Sequence, residues 1–135
     1  MNAPVFPGQG VVQSAQETDF RPFARALGMV MDFAPGEFIF REGDAPRCMY
    51  LVLKGSIEVS KKGRRVETVH EGETVGTLSL IDGKPRKAAA QAKESCELVV
   101  LDKRAVRSMV KQCPNFVWFV LDEFDSQLHA TNVLQ

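Results

Sequence analysis

The chain has 135 residues, 44% of them apolar and 25% charged, which fits one globular domain with a single core rather than two. Its 17 basic and 17 acidic residues cancel, so no overall field draws it towards nucleic acid or an anionic membrane. Direct DNA binding and membrane association are therefore not expected, and neither is a disulfide framework, since Cys48, Cys96 and Cys113 are odd in number and far apart. The cysteines read as reduced core thiols.

Residues 1–18 contain Pro4, Pro7, Gly8 and Gly10 among scattered valines, a composition that breaks helix and strand periodicity alike. They are read as a flexible arm preceding a domain over residues 19–135. No basic stretch followed by an apolar run suggests a secretory signal, so a cytoplasmic protein is expected. Thr18 or Asp19 is expected to cap a helix through Leu27, with Phe20, Phe23, Ala24 and Leu27 on one face and Gly28 ending it.

Short strands follow. Val30 to Phe33 precedes the Pro35-Gly36 turn, and Glu37 to Arg41 precedes Gly43-Asp44. Met49 to Lys54 is almost wholly apolar, the pattern of a strand buried on both faces. Ser56 to Lys61 alternates, and Lys62-Gly63 forms a tight hairpin into Arg64 to Val69. The basic tip of Lys61, Lys62, Arg64 and Arg65 reads as a solvated hairpin, because no aromatic residue interleaves with the charges.

Lys87 to Ala92 and Cys96 to Asp102 read as two more strands, the second buried on both sides. Asp102 is placed as the cap of a helix Lys103 to Lys111 with an apolar stripe of Ala105, Val106, Met109 and Val110. Pro114 ends it and starts a last helix from Asn115 to about Thr131. Its apolar face is assigned to Val117, Val120, Leu121, Phe124 and Leu128, widened by Trp118 and Phe119. Strands at hairpin spacing between terminal helices give a mainly β fold, an antiparallel β-roll or jelly roll with flanking helices.

The informative stretch lies between the strands, from Val75 to Ala90. Two glycines, a proline and the basic residues Lys84, Arg86 and Lys87 form a backbone cradle suited to an anion. The planar fork of Arg86 matches two phosphate oxygens, and Gly76 lets the backbone approach a ligand closely. Alone, Arg86 would read as a solvated loop residue; its register with Gly76, Leu78, Leu80 and Pro85 points to an anion ligand. His70 and His129 are too far apart and too few for a metal centre, and no nucleophile–base arrangement is evident, so neither a metal nor an enzymatic role is expected.

Gly76-Thr77-Leu78-Ser79-Leu80-Ile81-Asp82-Gly83-Lys84-Pro85-Arg86-Lys87-Ala88 closely resembles the phosphate-binding cassette of cyclic nucleotide-binding domains, as in catabolite activators and protein kinase A regulatory subunits. Pro35 to Ile39, Gly43-Asp44, Met49 to Val52 and Lys54 to Val59 are similar to the family's early strands and turns, and Asp102 to Pro114 to its first C-terminal helix. The resemblance implies a ligand site of Gly76, Thr77, Leu78, Ser79, Pro85, Arg86, Lys87 and Ala88. Arg86 would pair with a cyclic phosphate, and backbone N–H groups after Gly76 and around Lys87 would assist. It further implies a ligand such as cyclic AMP or cyclic GMP, no cofactor, and movement of the helix from Asn115 on binding, with one of its apolar residues covering the base.

Two positions depart from the family pattern. Thr77 stands where a glutamate usually accepts the ribose 2′-hydroxyl, an exchange that costs about 1–2 kcal/mol, or roughly five- to thirtyfold in affinity. Lys87 stands where alanine, serine or threonine is usual. Two functions follow: a regulatory ligand-sensing module that binds cyclic AMP or a related phosphate ligand weakly, and a degenerate fold kept for protein interaction or dimerisation. Expected partners are the phosphate ligand, a second copy of the chain through the C-terminal helix, and a protein effector. A transcription-factor reading lacks a helix-turn-helix after the long helix.

Overall fold

The computed structural model describes residues 18–123. The expected arm up to residue 17, and the last helix beyond residue 123 with Phe124, Leu128 and His129, lie outside them. In chain order the elements are α1 (Arg21–Leu27), β1 (Met29–Phe33), β2 (Phe38–Phe40), β3 (Met49–Lys54), β4 (Ile57–Lys61), β5 (Arg64–Val69), β6 (Thr74–Val75), α2 (Thr77–Asp82), β7 (Ala89–Ala92), β8 (Cys96–Leu101) and α3 (Lys103–Gln112). A further helix, α4, occupies residues 115–123.

The strands form two antiparallel four-stranded sheets, ordered β1-β8-β3-β6 and β2-β7-β4-β5. Because side chains alternate along a strand, the two apolar strands β3 and β8 serve two cores at once. Val52 and Leu98, paired across the ladder, face the space between the sheets with Phe33, Phe40, Ile57, Val59, Val69, Val75, Ala90, Ala92 and Cys96. Leu51 and Val99, the neighbouring pair, face outward with Met49, Leu53 and Leu101 and are covered by Phe20, Ala24, Leu80, Met109, Phe116 and Val120 from the helices. Full burial of each large side chain is worth roughly 1.5–3 kcal/mol, so the helical layer is an integral part of the fold.

The hairpin at Lys62-Gly63 forms as expected. Both residues have positive φ, 52° and 78°, the pair of left-handed conformations that matches strand twist in a two-residue turn. The Glu42 carboxylate accepts from the Lys62 N–H at 3.0 Å, which ties the basic tip to the neighbouring turn.

Some expectations change. Helix α1 starts after Phe20 without a side-chain cap; Asp19 lies one residue further out, where its carboxylate accepts from the backbone N–H of Arg21 and pairs with its guanidinium. Of the expected face, Phe20 and Ala24 are buried and Leu27 packs half-buried against the core, whereas Phe23 is exposed. Strand β7 begins at Ala89, since Arg86 is bonded to another segment, and α2 was not expected as a helix at all. On α4 the buried residues are Phe116 and Val120, whereas Val117, Trp118 and Leu121 face outward. Phe116 meets Phe20 edge-on at 5.1 Å and stacks on Phe119 at 5.9 Å, and this aromatic cluster rotates the helix away from the face expected from periodicity alone.

Gly28 does end α1, but with extended backbone, so its role is space. A Cβ there would stand 2.4 Å from the Val100 carbonyl oxygen and 2.4 Å from Val99 Cγ1. Gly28→Ala is therefore expected to lower stability by about 1–3 kcal/mol in urea unfolding, as overpacking usually does, and an unchanged midpoint would contradict this packing account.

Candidate functional site

Three segments converge on Arg86. Its backbone N–H donates to the Asp44 carbonyl at 2.9 Å and its carbonyl accepts from the Gly43 N–H at 2.8 Å, so the early Gly43-Asp44 turn fixes the segment that carries it. That turn is held in turn by the Asp44 carboxylate, which accepts from the Arg41 N–H at 2.9 Å. From this base the side chain runs inward, and only 4% of Arg86 is exposed.

The guanidinium rests on backbone carbonyls. Nη1 donates to the Gly76 carbonyl at 2.7 Å and Nη2 donates to the Cys48 carbonyl, while Cζ lies over the Phe40 ring, 4.2 Å from its centre. Nε is buried and has no hydrogen-bond partner among the described residues. No carboxylate forms an ion pair with Arg86 among those residues either. Burial therefore lowers the guanidinium pKa from its ordinary value, opposed by Cys48, Tyr50 and Asp44 nearby. A buried cation of this kind is electrostatically incomplete and favours an anion.

Gly76 is required at this point for two reasons. Its φ is +83°, and a Cβ would stand 2.6 Å from Arg86 Nη1 and 3.2 Å from Phe40. Helix α2 starts on it, and the first intrahelical bond runs from the Leu80 N–H to the Gly76 carbonyl at 3.4 Å. The backbone N–H groups of Thr77, Leu78 and Ser79 thus precede the helical ladder, as the first N–H groups of any helix do. Gly83, with φ +73°, closes the helix as its N–H donates to the Ser79 carbonyl.

The predicted site residues separate by burial. Thr77, Ser79 and Arg86 are buried, Gly76, Leu78 and Ala88 are half-buried, and Pro85 and Lys87 are exposed. The Lys87 position is therefore at the rim, with its cation in solvent.

Thr77 has a partner that sequence reasoning missed. The Glu123 carboxyl, from α4, reaches the cassette: its Oε1 accepts a hydrogen bond from the Thr74 hydroxyl and lies 3.5 Å from the Thr77 hydroxyl. The two threonine hydroxyls are 3.2 Å apart. Burial first, then the charges of Glu67 and Glu73, push the Glu123 carboxyl up to about 8. A signal for it existed in the sequence, since Glu123 follows Phe116 and Val120 at helical spacing and so falls on the inward face. Its polarity hid it.

Among the described residues, no group of three or more His, Cys, Asp and Glu side chains is arranged to hold a metal, and no helix is long and apolar enough to cross a membrane. His70 is exposed at a strand end. The three cysteines are unbridged, and only Cys96 is fully buried.

Comparison with known proteins gives the same picture from a separate direction. The family model for the cyclic nucleotide-binding domain matches residues 30–113. Rap guanine nucleotide exchange factor 3 of Rattus norvegicus is 33% identical over 93 residues, 64% of this chain and 10% of that protein. A cAMP-dependent protein kinase regulatory subunit of Emericella nidulans is 28% identical over 106 residues, 74% of this chain and 26% of that protein. The crystal structure of the Thermus thermophilus catabolite activator protein superposes with a TM-score of 0.72 at 24% identity, over 84% of this chain and 55% of that one, a likeness of fold. The chain thus spans between a tenth and about a quarter of the length of these two curated relatives.

The Glu123 carboxyl makes stability depend on pH. Its pKa is raised from 4.5 to about 8, so the folded state binds the extra proton between those values. The stabilisation is complete below the unfolded value and is lost as pH rises through the folded one. Glu67, also raised by burial, acts in the same direction. Thermal unfolding should show wild type losing stability across this window, whereas Glu123→Gln shows a shallower slope and exceeds wild type on the alkaline side. Parallel profiles for the two proteins would contradict the assignment.

Proposed function

Because this chain belongs to the cyclic nucleotide-binding domain family, we propose that it is a non-catalytic, ligand-sensing regulatory module whose cassette holds the phosphate of a cyclic nucleotide. Arg86 carries the reading: it is a buried cation with a free Nε donor and no carboxylate partner among the described residues. The anionic phosphate takes its place beside that guanidinium, assisted by N–H groups of Thr77, Leu78 and Ser79 at one end and by the segment Pro85, Lys87 and Ala88 at the other. Cyclic AMP is the preferred candidate, since one relative is named as a cAMP-dependent kinase regulatory subunit. Affinity is modest because Thr77 offers a neutral hydroxyl where the family has a carboxylate. Three unbridged cysteines favour a reducing, cytoplasmic location.

A second role, self-association through the C-terminal helix, is favoured by one observation. Val117, Trp118 and Leu121 lie together on the outer side of α4, with Trp118 61% exposed. Such an apolar face suits a twofold contact with a second copy, and a protein effector is the alternative occupant.

Isothermal calorimetry with cyclic AMP and cyclic GMP tests the ligand. Wild type is expected to bind one of them, and Arg86→Lys, which keeps the charge and loses the fork, to bind roughly ten- to hundredfold more weakly. Absence of heat at millimolar ligand would overturn the proposal. Light scattering tests the second role: a dimer that Trp118→Glu converts to monomer is expected, and a strict monomer for wild type at high concentration would refute it.

A further inference from the structure

The carboxylate that is missing at position 77 is present in space. Thr77 is fully buried one residue after the glycine whose carbonyl holds Arg86, and the group it faces is the carboxyl of Glu123. Glu123 shares the inward face of α4 with Phe116 and Val120, both buried against the sheet that contains β3 and β8. An acidic side chain at such a position is costly unless polar groups meet it, and those present are the hydroxyls of Thr74 and Thr77. Both hydroxyls converge on Oε1, and a backbone hydrogen bond from Thr74 adds to them.

We propose that Glu123 is a specificity-determining residue for the ligand: delivered to the cassette by α4, its carboxyl meets a sugar hydroxyl of the bound nucleotide in place of a carboxylate at position 77. The inference rests on the cyclic-nucleotide reading of the cassette. Thr77 and Glu123 then form an exchange. A glutamate at position 77 would set two carboxyls against each other, close to Glu67 on β5 and Glu73 before β6, whose charges already act on Glu123. Threonine leaves room for one carboxyl and steadies it through its hydroxyl.

The chemistry suits a hydroxyl ligand in particular. With its proton retained near neutral pH, the Glu123 carboxyl offers a donor as well as acceptor lone pairs. A sugar hydroxyl, being both donor and acceptor, pairs with it in either protonation state. Position in the chain adds a consequence: because Glu123 belongs to α4, the ligand hydroxyl and the helix engage one and the same side chain.

The test compares cyclic AMP with its 2′-deoxy analogue by equilibrium titration. Wild type is expected to prefer cyclic AMP by about three- to tenfold, the scale of one neutral hydrogen bond. Glu123→Leu should bind both alike, Glu123→Gln should keep the preference, and the double variant Thr77→Glu with Glu123→Ala should regain it by returning a carboxyl to the cassette. Wild type binding both compounds equally overturns the inference while leaving the cassette reading intact. Glu123→Leu weakening both in the same proportion also overturns it, since Glu123 would then only support the helix. Wild type binding neither compound removes the cassette reading, and the inference with it.

Discussion

The structure depends on a buried guanidinium supported by backbone carbonyls. Arg86 lies against the Gly76 and Cys48 carbonyl oxygens and the face of Phe40, and no anion neutralises it among the described residues. Carbonyl dipoles solvate a cation in part, yet a fully buried charge without a counter-ion is among the costlier arrangements a small domain contains. Much nearby sequence maintains it: Gly76 because any side chain would strike the guanidinium, Gly43-Asp44 because their backbone holds Arg86 in place, and α2 because it turns the Gly76 carbonyl inward.

From that cation the site extends to its other end through one residue, Thr77, and there it joins the helical layer. Thr74, Thr77 and Glu123 connect β6, α2 and α4 within a few ångströms. Helix α4 is otherwise held by apolar and aromatic contacts of Phe116, Phe119 and Val120. Apolar contacts tolerate small rotations; a half-buried carboxyl with specific hydroxyl partners does not. The polar cluster therefore sets the register of α4 on β6 and α2, and under the role proposed for Glu123 the ligand and the helix share one side chain.

The β-roll was legible because its signals are local. The apolar runs Met49–Lys54 and Cys96–Asp102 read as strands buried on both faces and form β3 and β8, the Lys62-Gly63 turn fixes its hairpin, and Asp102 caps α3 through the Ala105 N–H at 2.8 Å as its position suggests. The anion cradle was read from the glycines and basic residues between Gly76 and Lys87, and its likeness to a phosphate-binding cassette from the resemblance of the whole segment. Less visible were features set by contacts distant in sequence. Periodicity placed Val117 and Leu121 inside, but the pairing of Phe20 with Phe116 and Phe119 turns α4 the other way. Likewise, Thr77 looked like a simple loss because the carboxyl it meets lies 46 residues further along the chain. Helix α2 was hidden by its length: six residues between two left-handed glycines carry too little periodicity to register.

The central claim, that Arg86 is a cation awaiting a phosphate, has a direct spectroscopic test. In a nitrogen–proton correlation spectrum the Arg86 Nε–H signal is identified by its loss in Arg86→Lys. A free, buried Nε–H that gains a phosphate oxygen forms a charge-assisted hydrogen bond, so its proton signal is expected to move downfield on addition of cyclic AMP or cyclic GMP. A signal that stays in place at saturating concentrations of both nucleotides would contradict the account.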